Sequence, residues 1–578
     1  MKTALISVYN KEGIVEFAKQ LADLGFKILA SGGTAKALSS AGLEVTDVAS
    51  LVGGAAILGH RVVTLSREVH AGLLAKDDEA DRKELADLKI PFIDLVCCDL
   101  YPLADEIAKW DADKSARYTL KANEAVVDKT DIGGPTMLRS GAKGRRIVVC
   151  DPLDRTRVVE WLKGGEQNKE EFISSLVAKA EYIVADYVLA SARYHSTGKL
   201  DGLVGEQILE AKYGENGWQQ PSGLFQTADK SANYIDQLSI ANFKLVAGTA
   251  PSYNNLADVD RLLQTITHIA AGFDVNNCTL SASAALGISP RGGEGSADKP
   301  MIAVGVKHGN PCGAAVSDSP ASAIEKMLEG DLRAIFGGVV MVNFEIDEKL
   351  AEVLLTHKME LGRRLLDGVI APSFTLSAID LMKRKGDKCR FLVNPALANL
   401  SKESLDSHPR FRYVRGGFLK QPNYNFVLDL NKCDVVAPFM GQSEEPDKSG
   451  NYKLSDQQKS DIILAWAVGS TSNSNTVTIT KNQMLIGNGV GQQDRVSCCQ
   501  LAIKRATDAN HDTKGAAAYS DSFFPFVDGV ETLSLAGIKS IFATSGSVRD
   551  EEIKKFCVDK GINLVMLPDS QARGFFGH

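Results

Sequence analysis

The sequence predicts an α/β protein whose N-terminal part contains a doubly wound parallel sheet. Two observations carry this prediction. Short apolar runs typical of buried strands alternate with amphipathic segments of helical spacing through the first part of the chain. Glycine-rich turns also stand at two places where a strand gives way to a helix. The chain has 578 residues, enough for about four domain-sized units, so further domains are expected.

The predicted elements of the N-terminal part follow one another in alternation. Residues 3–9 predict the first strand, and Asn10 is a candidate cap for a helix whose apolar residues have helical spacing, Ile14, Phe17, Ala18 and Leu21. A second strand at residues 26–30 leads through a Ser-Gly-Gly-Thr turn into a helix that begins at Ala35. Further strands are predicted at residues 43–48, 92–97 and 146–149. This alternation favours a parallel sheet.

Two glycine-rich turns are candidate phosphate sites. The first consists of Ser31, Gly32, Gly33 and Thr34. The second, at residues 131–134, opens a helix that runs to Lys143. Free backbone N–H groups and the positive end of a helix dipole suit a phosphate group. Many such turns only connect elements, so each is a weak signal by itself.

Composition and charge exclude several classes of function. The net charge of −7 argues against a general nucleic-acid or membrane surface, so an anionic ligand would need a local positive site. No apolar run reaches the ~18 residues of a membrane-spanning helix, and the N-terminus lacks a signal-peptide pattern, which favours a cytoplasmic protein.

The cysteine pattern argues against a disulfide framework and a structural zinc site. The ten cysteines include no Cys-x-x-Cys pair, so reduced thiols are expected. Pro311-Cys312 could begin a zinc-deaminase signature, but the second cysteine of that signature would fall on Ala315. The deaminase class is therefore rejected.

A domain boundary is predicted near residue 200. A polar helical stretch at residues 169–193 is followed by a candidate linker at residues 196–200. This gives an N-terminal domain of residues 1–200 and a C-terminal region of residues 201–578. Strands and helices mix in the C-terminal region without a visible repeat.

One short segment combines a buried strand with chemically reactive side chains. The apolar run at residues 302–306 predicts a strand that ends on Lys307 and His308, and Gly-Asn-Pro then turns the chain. Ligands bind at the ends of buried strands in α/β folds. An imidazole can move a proton at neutral pH, and a lysine can stabilise developing negative charge. In isolation, such a pair is more often a surface lysine beside a packed histidine.

Several segments, however, occur in an order that resembles one enzyme family. Residues 306–313, Val-Lys-His-Gly-Asn-Pro-Cys-Gly, resemble the transformylase half of the bifunctional AICAR transformylase/IMP cyclohydrolase family, where AICAR is aminoimidazole carboxamide ribonucleotide. The other matching segments, in chain order, are residues 212–216, 252–256, 336–340, 367–374, 474–475, 486–495, 520–526 and 573–578. Each segment alone has a structural explanation, but their ordered occurrence over nearly the whole chain makes coincidence improbable.

The resemblance implies a fold, an assembly and a set of ligands. The N-terminal domain would be similar to methylglyoxal synthase, and the C-terminal region would consist of two cytidine-deaminase-like subdomains. The family also implies a homodimer whose transformylase sites are shared across the interface. The implied ligands are small-molecule nucleotide and folate substrates, with 10-formyltetrahydrofolate as co-substrate, and no metal, nucleic acid or membrane.

The implied reaction, a step of de novo purine biosynthesis, moves a formyl group from 10-formyltetrahydrofolate to the 5-amino group of AICAR. That amine is a poor nucleophile, so a base must remove its proton and the tetrahedral oxyanion must be stabilised. Lys307 and His308 are the predicted catalytic residues, with His308 as the base. The predicted AICAR-binding residues are Lys212, Tyr213, Asn255, Gly337, Asp367, Asn475, Phe523 and Arg573. The predicted folate-binding residues are Arg495, Pro525 and Phe526.

Two positions depart from the transformylase pattern. Lys212 stands where the family has arginine, which keeps the charge but loses bidentate geometry. Gly217-Trp218 replaces Pro-His, so any contribution of that histidine would have to come from another group.

The cyclohydrolase pattern departs further. Val63 stands at the family's catalytic lysine and Ser66 at a histidine. Valine can neither polarise a carbonyl nor carry a proton, and the loss of one such group costs ~10²-fold or more in rate. The candidates that remain for a nucleotide site are Lys11, Ser31, Gly32, Gly33, Thr34, Arg61, Thr64, Tyr101, Asp131 and Lys143. Three functions stay open: a formyltransferase alone, a bifunctional enzyme that closes the ring with Lys11 or Lys143, and a non-catalytic nucleotide-binding paralogue.

Overall fold

The computed structural model describes residues 2–58, 62–111, 120–227, 236–278, 299–436 and 454–578. The chain divides into two compact units, one of Met1–Gln207 with Phe225–Ile235 and one of Ile208–Leu224 with Asp236–His578. The predicted boundary near residue 200 lies close to the first crossing between them. Among the described residues, no helix is both long enough and apolar enough to cross a membrane.

Unit 1 is built on a five-stranded parallel sheet with the strand order β3-β2-β1-β4-β5. Its strands are β1 (Lys2–Ser7), β2 (Phe26–Ala30), β3 (Val45–Asp47), β4 (Leu95–Cys98) and β5 (Ile147–Val149). Its helices are α1 (Ile14–Asp23), α2 (Gly32–Ser40), α3 (Val48–Leu51), α4 (Arg67–Leu74), α5 (Glu79–Asp87), α6 (Leu103–Asp111), α7 (Leu120–Asp128), α8 (Gly133–Lys143), α9 (Asp154–Lys163) and α10 (Lys169–His195). The predicted doubly wound parallel sheet is confirmed.

Both faces of this sheet are covered, which explains why its strands are apolar without alternation. In β1, Ala4 and Ile6 belong to one buried cluster and Leu5, which points to the opposite face, belongs to another. The strand order reverses at β1 and β4, so the carboxyl ends of these two strands open the crevice in which doubly wound folds bind ligands.

Two helix starts in unit 1 differ from the prediction. Helix α1 begins at Ile14 after Gly13, and Asn10 does not cap it, because its Oδ1 accepts the N–H of Glu12 (2.9 Å) instead. Helix α2 begins at Gly32, three residues before the predicted start, so the glycine-rich turn forms the first turn of the helix. The helix itself therefore orients the N–H groups of the glycine-rich turn.

The segment after α10 carries a two-stranded sheet of β6 (Gly205–Glu210) and β7 (Gly223–Thr227). Unit 2 then follows with a twelve-stranded mixed sheet in the order β16-β21-β20-β19-β17-β18-β10-β9-β11-β12-β13-β8. Its first half contains β8 (Lys244–Ala247), α11 (Tyr253–Val275), β9 (Met301–Lys307), β10 (Asn310–Ser317), α12 (Pro320–Gly330), β11 (Val339–Val342), α13 (Glu348–Thr356), β12 (Gly368–Ala371), α14 (Leu376–Met382) and β13 (Arg390–Val393).

A separate hairpin of β14 (Arg410–Val414) and β15 (Gly417–Gln421) precedes the second half. The second half contains β16 (Asp434–Val436), α15 (Asp456–Gly469), β17 (Val477–Lys481), β18 (Met484–Gly489), α16 (Arg495–Asp508), β19 (Ala517–Ser520), α17 (Val527–Leu535), β20 (Ser540–Ser545), α18 (Asp550–Lys560), β21 (Asn563–Pro568) and α19 (Asp569–Ala572).

The two halves of unit 2 repeat one pattern of elements, which the sequence analysis did not detect. In each half a helix precedes an antiparallel hairpin, β9–β10 or β17–β18, and a third antiparallel strand then leads into two parallel strands connected by helices. Strands β10 and β18 pair with each other and join the halves into one sheet. The expected C-terminal region of two related subdomains matches this arrangement.

The two halves share one hydrophobic core. Helices α11 and α15 pack on the same side of the sheet and bury one large cluster that includes Ile266, Ile463 and Trp466. The opposite side carries a separate cluster for each half. The central helices α11 and α15 therefore hold both hairpins in fixed positions.

Candidate active site

Lys307 and His308 lie at the tip of the β9–β10 hairpin. Strand β9 ends at Lys307, as the apolar pattern predicted, and Lys307 pairs with Asn310. The two residues between them have positive φ, 53° at His308 and 72° at Gly309, which is the geometry of a two-residue type I′ turn. The predicted turn is therefore a tight hairpin, and His308 is exposed at its tip.

A carboxylate on helix α11 fixes this turn. The N–H of Gly309 donates a hydrogen bond to Oδ1 of Asp258 at 2.7 Å. Burial raises the pKa of Asp258, while the Gly309 N–H and the nearby His308 oppose that shift. Sequence analysis missed Asp258, although it lies three residues after Asn255 and so on the same helix face.

The Lys307 side chain is also anchored. Its Nζ donates a hydrogen bond to the carbonyl oxygen of Phe336 at 2.6 Å. Gly337 follows with a φ of 74°, and a Cβ atom at that glycine would lie 3.9 Å from the ammonium group. The backbone of Phe336 and Gly337 therefore holds the ammonium group beside the imidazole turn.

Three further predicted residues, Lys212, Tyr213 and Asn255, lie in the same half of unit 2. Ser252 and Asn255 form a capping box at the start of α11, in which Asn255 Oδ1 accepts from the N–H and hydroxyl of Ser252 (both 3.0 Å). A hydrogen bond from Asn255 to AICAR would therefore have to come from its amide nitrogen. Tyr213 joins the same helix end, because its carbonyl accepts the N–H of Tyr253 (3.2 Å). Lys212 is exposed and lines a cavity of about 630 Å³.

Asp367 is engaged by an arginine that the sequence analysis did not single out. Arg384 Nη1 lies 2.7 Å from Asp367 Oδ1, and the N–H of Asp367 donates to the carbonyl of Gly338 (2.9 Å). Asp367 also contributes to the raised pKa of Asp258. Asp258 and Asp367 are therefore close enough to interact electrostatically, with Asp258 bonded to the turn that carries His308.

A second group of predicted residues lies in the other half of unit 2. Arg495 begins α16 and bonds Asp521, the carbonyl of Thr476 (3.4 Å) and Oδ1 of Asn475 (3.0 Å). Ser474 Oγ donates to the second oxygen of Asp521 (2.7 Å). The side chains of Arg495 and Asp521 are only 10% and 0% exposed, so this pair is part of the interior.

The C-terminal segment completes the second group. Arg573 forms an ion pair of 2.8 Å with Asp569. Although burial opposes it, hydrogen bonds from Thr544, Arg573 and Ser522 hold the pKa of Asp569 below its usual value. Phe523 is half-buried, whereas Pro525 and Phe526 are exposed, and the guanidinium of Arg549 lies 5.0 Å from the centre of the Phe526 ring.

A cavity of about 340 Å³ lies beside Lys307 and His308. Residues of β18 and the side chains of Asp331 and Arg505 also line it. None of the predicted residues Asn475, Phe523 and Arg573, nor the predicted folate residues, is among the described residues that line this cavity. The structure therefore brings the predicted transformylase residues together as two groups, one in each half of unit 2.

In unit 1 the predicted nucleotide residues meet at the ends of β1 and β2. Thr34 Oγ1 bonds the backbone N–H and carbonyl of Val8 (both 3.2 Å), and Ser31 Oγ lies 2.9 Å from Ser7 Oγ. Lys11 Nζ donates to the carbonyls of Val8 and Tyr9, and its Cε would lie 3.9 Å from a Cβ at Gly33. Burial lowers the pKa of Lys11, and Asp99 opposes that shift.

Thr64, Tyr101 and Asp131 surround the second glycine-rich turn. Asp131 accepts the N–H of Gly134 (2.8 Å), and Thr64 Oγ1 lies 2.9 Å from the position of a Cβ on Gly133. Burial raises the pKa of both Asp131 and Tyr101. The Asp131 side chain therefore occupies the α8 N-terminus, with the Thr64 hydroxyl beside it.

Of the other positions in the cyclohydrolase pattern, one lies far from the second glycine-rich turn and two have structural roles. Lys143 is the last residue of α8, and ten helical steps of ~1.5 Å put it ~15 Å from Gly133. Ser66 caps α4 by accepting the N–H of Val69 (3.1 Å), and Val63 packs against the apolar core. Arg61 lies outside the described residues.

Comparisons with known proteins place similarity over both units. Residues 143–505 match the model of the AICARFT/IMPCHase bienzyme, and residues 13–136 match that of the MGS-like domain. The bifunctional purine biosynthesis protein PurH of Anoxybacillus flavithermus is 34% identical, that of Persephonella marina 31% and that of Acetivibrio thermocellus 32%, each over 98% of both chains. A crystal structure of ForH is similar to 35% of this chain and 100% of its own, with 32% identity and a TM-score of 0.30.

Proposed function

The chain belongs to the AICARFT/IMPCHase bienzyme family, and on that premise we propose which of its residues transfer the formyl group. The enzymes of this family have AICAR transformylase and IMP cyclohydrolase activities in purine biosynthesis, and the transformylase takes its formyl group from 10-formyltetrahydrofolate. The transformylase belongs to unit 2. The observation that supports this assignment is the anchored pair of Lys307 and His308 at the tip of a rigid hairpin, with Asp258 bonded to the same turn.

Formyl transfer to the AICAR amine requires a base for the amine proton and a group that stabilises the tetrahedral oxyanion. The lone pair of the amine is delocalised into the imidazole and the carboxamide, so it attacks the formyl carbon only as a base removes its proton. His308 takes that proton, directly or through the carboxamide, as the new N–C bond forms. Lys307 stabilises the tetrahedral oxyanion and supplies a proton to N10 of the folate as the old N–C bond breaks. The products are then formyl-AICAR and tetrahydrofolate.

The two groups of predicted residues have separate tasks. Lys212 and Arg573 hold the nucleotide phosphate, and Phe523 stacks on the imidazole ring. Asn255, Gly337, Asp367 and Asn475 complete the AICAR contacts, while Arg495, Pro525 and Phe526 contact the folate. These assignments rest on the family motifs, and the hydrogen bond from Arg495 to Asn475 (3.0 Å) holds both side chains in fixed positions.

The test of the catalytic pair uses His308→Ala and Lys307→Ala with purified full-length protein. Tetrahydrofolate and IMP are followed separately after AICAR and 10-formyltetrahydrofolate are supplied. Each variant is expected to lose about 10²-fold or more in kcat. Trp218→Ala is the control at the position where the family has histidine. It alters an exposed side chain, so this variant is expected to keep wild-type activity. A His308→Ala enzyme with near-wild-type formyl transfer would overturn the base assignment.

A homodimer with shared sites explains why the predicted residues form two groups. A site that needs both Lys307 and Phe523 would take one group from each protomer. Mixing His308→Ala and Phe523→Ala protomers tests this, because a mixed dimer would contain one intact site. Random exchange then restores about a quarter of the wild-type activity. If each protomer contains a complete site, the mixture stays as inactive as its components.

Ring closure to IMP in unit 1 is the second candidate activity. The match of residues 13–136 to the MGS-like domain and the grouping of Lys11, Thr34, Thr64 and Asp131 support nucleotide binding there. Ring closure without a lysine at Val63 would rely on Lys11, since Lys143 lies at the far end of α8. Accumulation of formyl-AICAR without IMP would show a formyltransferase alone. The enzyme would act in the cytoplasm, where its folate and nucleotide substrates are found.

A further inference from the structure

Helix α11 carries the carboxylate that is bonded to the turn of His308. Asp258 Oδ1 accepts the N–H of Gly309 at 2.7 Å. Gly309 is the second of the two turn residues, so this bond fixes the peptide group that directly follows His308. A hydrogen bond from a backbone N–H to a carboxylate is charge-assisted and about twice as strong as a neutral one. The position of His308 therefore depends on this carboxylate.

The helix that carries Asp258 is itself held in place. Ser252 and Asn255 close its first turn with a capping box. Val259 and Leu262, the next apolar residues along the helix, are buried in the core that both halves of unit 2 share. A side chain on such an element keeps a defined position when a neighbouring group reacts. The carboxylate therefore has a fixed place relative to the hairpin tip.

Asp258 and His308 also interact through their charges. Burial raises the pKa of Asp258, and His308 is among the groups that oppose this shift. An interaction between two titrating groups is reciprocal, so the carboxylate favours the protonated imidazole to the same extent. Both residues belong to the described part of the chain, and no hydrogen bond joins their side chains. The effect of the carboxylate on the imidazole therefore acts through space.

Two other carboxylates near this turn have cationic partners. Asp367 pairs with Arg384 at 2.7 Å. Asp331, which lines the cavity beside His308, pairs with Arg505 at 3.7 Å. Among the residues that the structure describes, no cation forms such an ion pair with Asp258. Its negative charge therefore remains available to the imidazole.

The two nearest cations are bonded to other groups. Lys307 Nζ donates to the carbonyl of Phe336 (2.6 Å). Arg261, three residues after Asp258 on α11, donates to the carbonyl of Thr471 and to Oδ1 of Asn473 (3.2 Å). Arg261 also opposes the raised pKa of Asp258, but less than His308 does. His308 is therefore the strongest charged partner of this carboxylate among the described groups.

The second half of unit 2 shows the same carboxylate at a turn without an imidazole. Asp461 on α15 accepts the N–H groups of Asn482 (3.1 Å) and Gln483 (2.6 Å) at the tip of the β17–β18 hairpin. Asn482 stands where the first hairpin has His308. Holding the turn is therefore common to both carboxylates, whereas an effect on proton transfer is open only to Asp258.

We propose that Asp258 is a positioning residue for formyl transfer, which holds the turn of His308 and whose negative charge stabilises the imidazolium that forms there. The proposal rests on the proposed role of His308 as the base. The proton passes from the AICAR amine to the imidazole as the new N–C bond forms, and Asp258 stays ionised throughout. The charge makes the imidazole a stronger base at the moment when the poorly nucleophilic amine attacks.

The variant Asp258→Asn separates the two parts of this role in the full-length enzyme. Asparagine still offers an oxygen to the N–H of Gly309 but has no charge. Without the carboxylate the imidazolium loses its proton more readily, so the acid limb of the profile of kcat/KM against pH should move down by about one pH unit. On the plateau, kcat should fall about three- to tenfold because the base is weaker, while KM for AICAR stays unchanged.

The matched control is Asp461→Asn, the same substitution at the other hairpin tip, and it should change neither the acid limb nor kcat. Asp258→Ala removes the acceptor as well as the charge. Its kcat should fall about tenfold below that of Asp258→Asn, and its hairpin amides should exchange faster with solvent. An acid limb that stays in place in Asp258→Asn overturns the proposal. Equal rates for Asp258→Asn and Asp258→Ala would refute the part of it that concerns the turn.

Nuclear magnetic resonance separates this proposal from the proposed reaction. The nine histidines are labelled with ¹³C at Cε1, and the signal of His308 is the one that His308→Ala lacks. Its titration midpoint should be about one pH unit lower in Asp258→Asn than in the wild type. An unchanged midpoint means that Asp258 does not act on the imidazole, so this proposal alone fails. A lowered midpoint with an unmoved rate profile means that His308 is not the base, so the proposed function fails as well.

Discussion

The substitution Asp521→Asn tests whether the interior ion pair with Arg495 supports unit 2. The two side chains are 10% and 0% exposed, and Ser474 donates a further hydrogen bond to Asp521 (2.7 Å). Removing one partner of a buried pair costs ~3–5 kcal/mol because the other charge stays buried. Asparagine still offers one neutral acceptor to Arg495, so we expect the lower end of this range, ~3 kcal/mol.

Hydrogen exchange measured by mass spectrometry reports this loss in the full-length chain. The amides of residues 462–468 in α15 lie in the shared core and exchange only when unit 2 opens. A loss of ~3 kcal/mol should speed their exchange about 10²-fold, at ~1.36 kcal/mol for each factor of ten.

The matched control is Asp508→Asn, which breaks the exposed pair of Asp508 with Lys504 (2.9 Å, side chains 41% and 68% exposed). Such a pair is worth ~0.3–0.5 kcal/mol, so exchange in α15 should change by no more than about twofold. If Asp521→Asn and Asp508→Asn have the same small effect on exchange in α15, the pair with Arg495 does not stabilise unit 2 and the reasoning is refuted.

Three further predictions concern stability. Burial raises the pKa of Asp461 above its ordinary value of 3.8, so the wild type should lose stability as pH rises from 3.8 through the raised pKa. Asp461→Asn should flatten that part of the Tm–pH profile. A variant profile parallel to that of the wild type would contradict this. Gly313→Ala would place a Cβ 2.2 Å from the Met327 carbonyl and should cost ~3 kcal/mol, whereas Gly217→Ala, with nothing within 4 Å, should leave Tm unchanged. Ser66→Ala removes the cap of α4 and should cost ~1 kcal/mol, seen as faster hydrogen exchange in α4 alone; unchanged exchange there would exclude the capping role.

The fold of unit 1 was predictable because each of its strands is short, apolar and followed by a helix with regular spacing. The errors lie at helix starts. Asn10 has the side chain of a cap, but Gly13 with a φ of 66° lets the chain enter α1 without one. The Ser-Gly-Gly-Thr stretch was expected to precede α2, yet Gly32 begins it. Helix propensity is low for glycine, so local sequence alone does not reveal a start that the surrounding sheet determines.

In unit 2 the sequence predicted the hairpin that carries Lys307 and His308 but not the residues that support it. Asp258, Asp521 and Arg384 act through contacts with residues that are 17 to 51 positions away in sequence. Such contacts depend on how strands pair in the sheet, which a single sequence does not specify. The family motifs gave the residues predicted to contact ligands, whereas these supporting residues became visible only with the fold.

The two halves of unit 2 share the backbone features that support their hairpin tips. Ser455 caps α15 as Ser252 caps α11, and Asp461 follows six residues later as Asp258 does. Asp461 accepts the N–H of Gln483 (2.6 Å) at the tip of the β17–β18 hairpin, just as Asp258 accepts that of Gly309.

The two hairpin tips nevertheless differ in the side chains that decide reactivity. Asn482 (φ 56°) takes the place of His308, and Lys481, the counterpart of Lys307, is bonded to the carbonyl of Asp512 (2.9 Å). One turn geometry, one helix cap and one buried carboxylate therefore recur in both halves, but only the hairpin tip of the first half carries an imidazole. The duplicated backbone supplies a rigid turn, and the substitution of a single position determines which turn can move a proton.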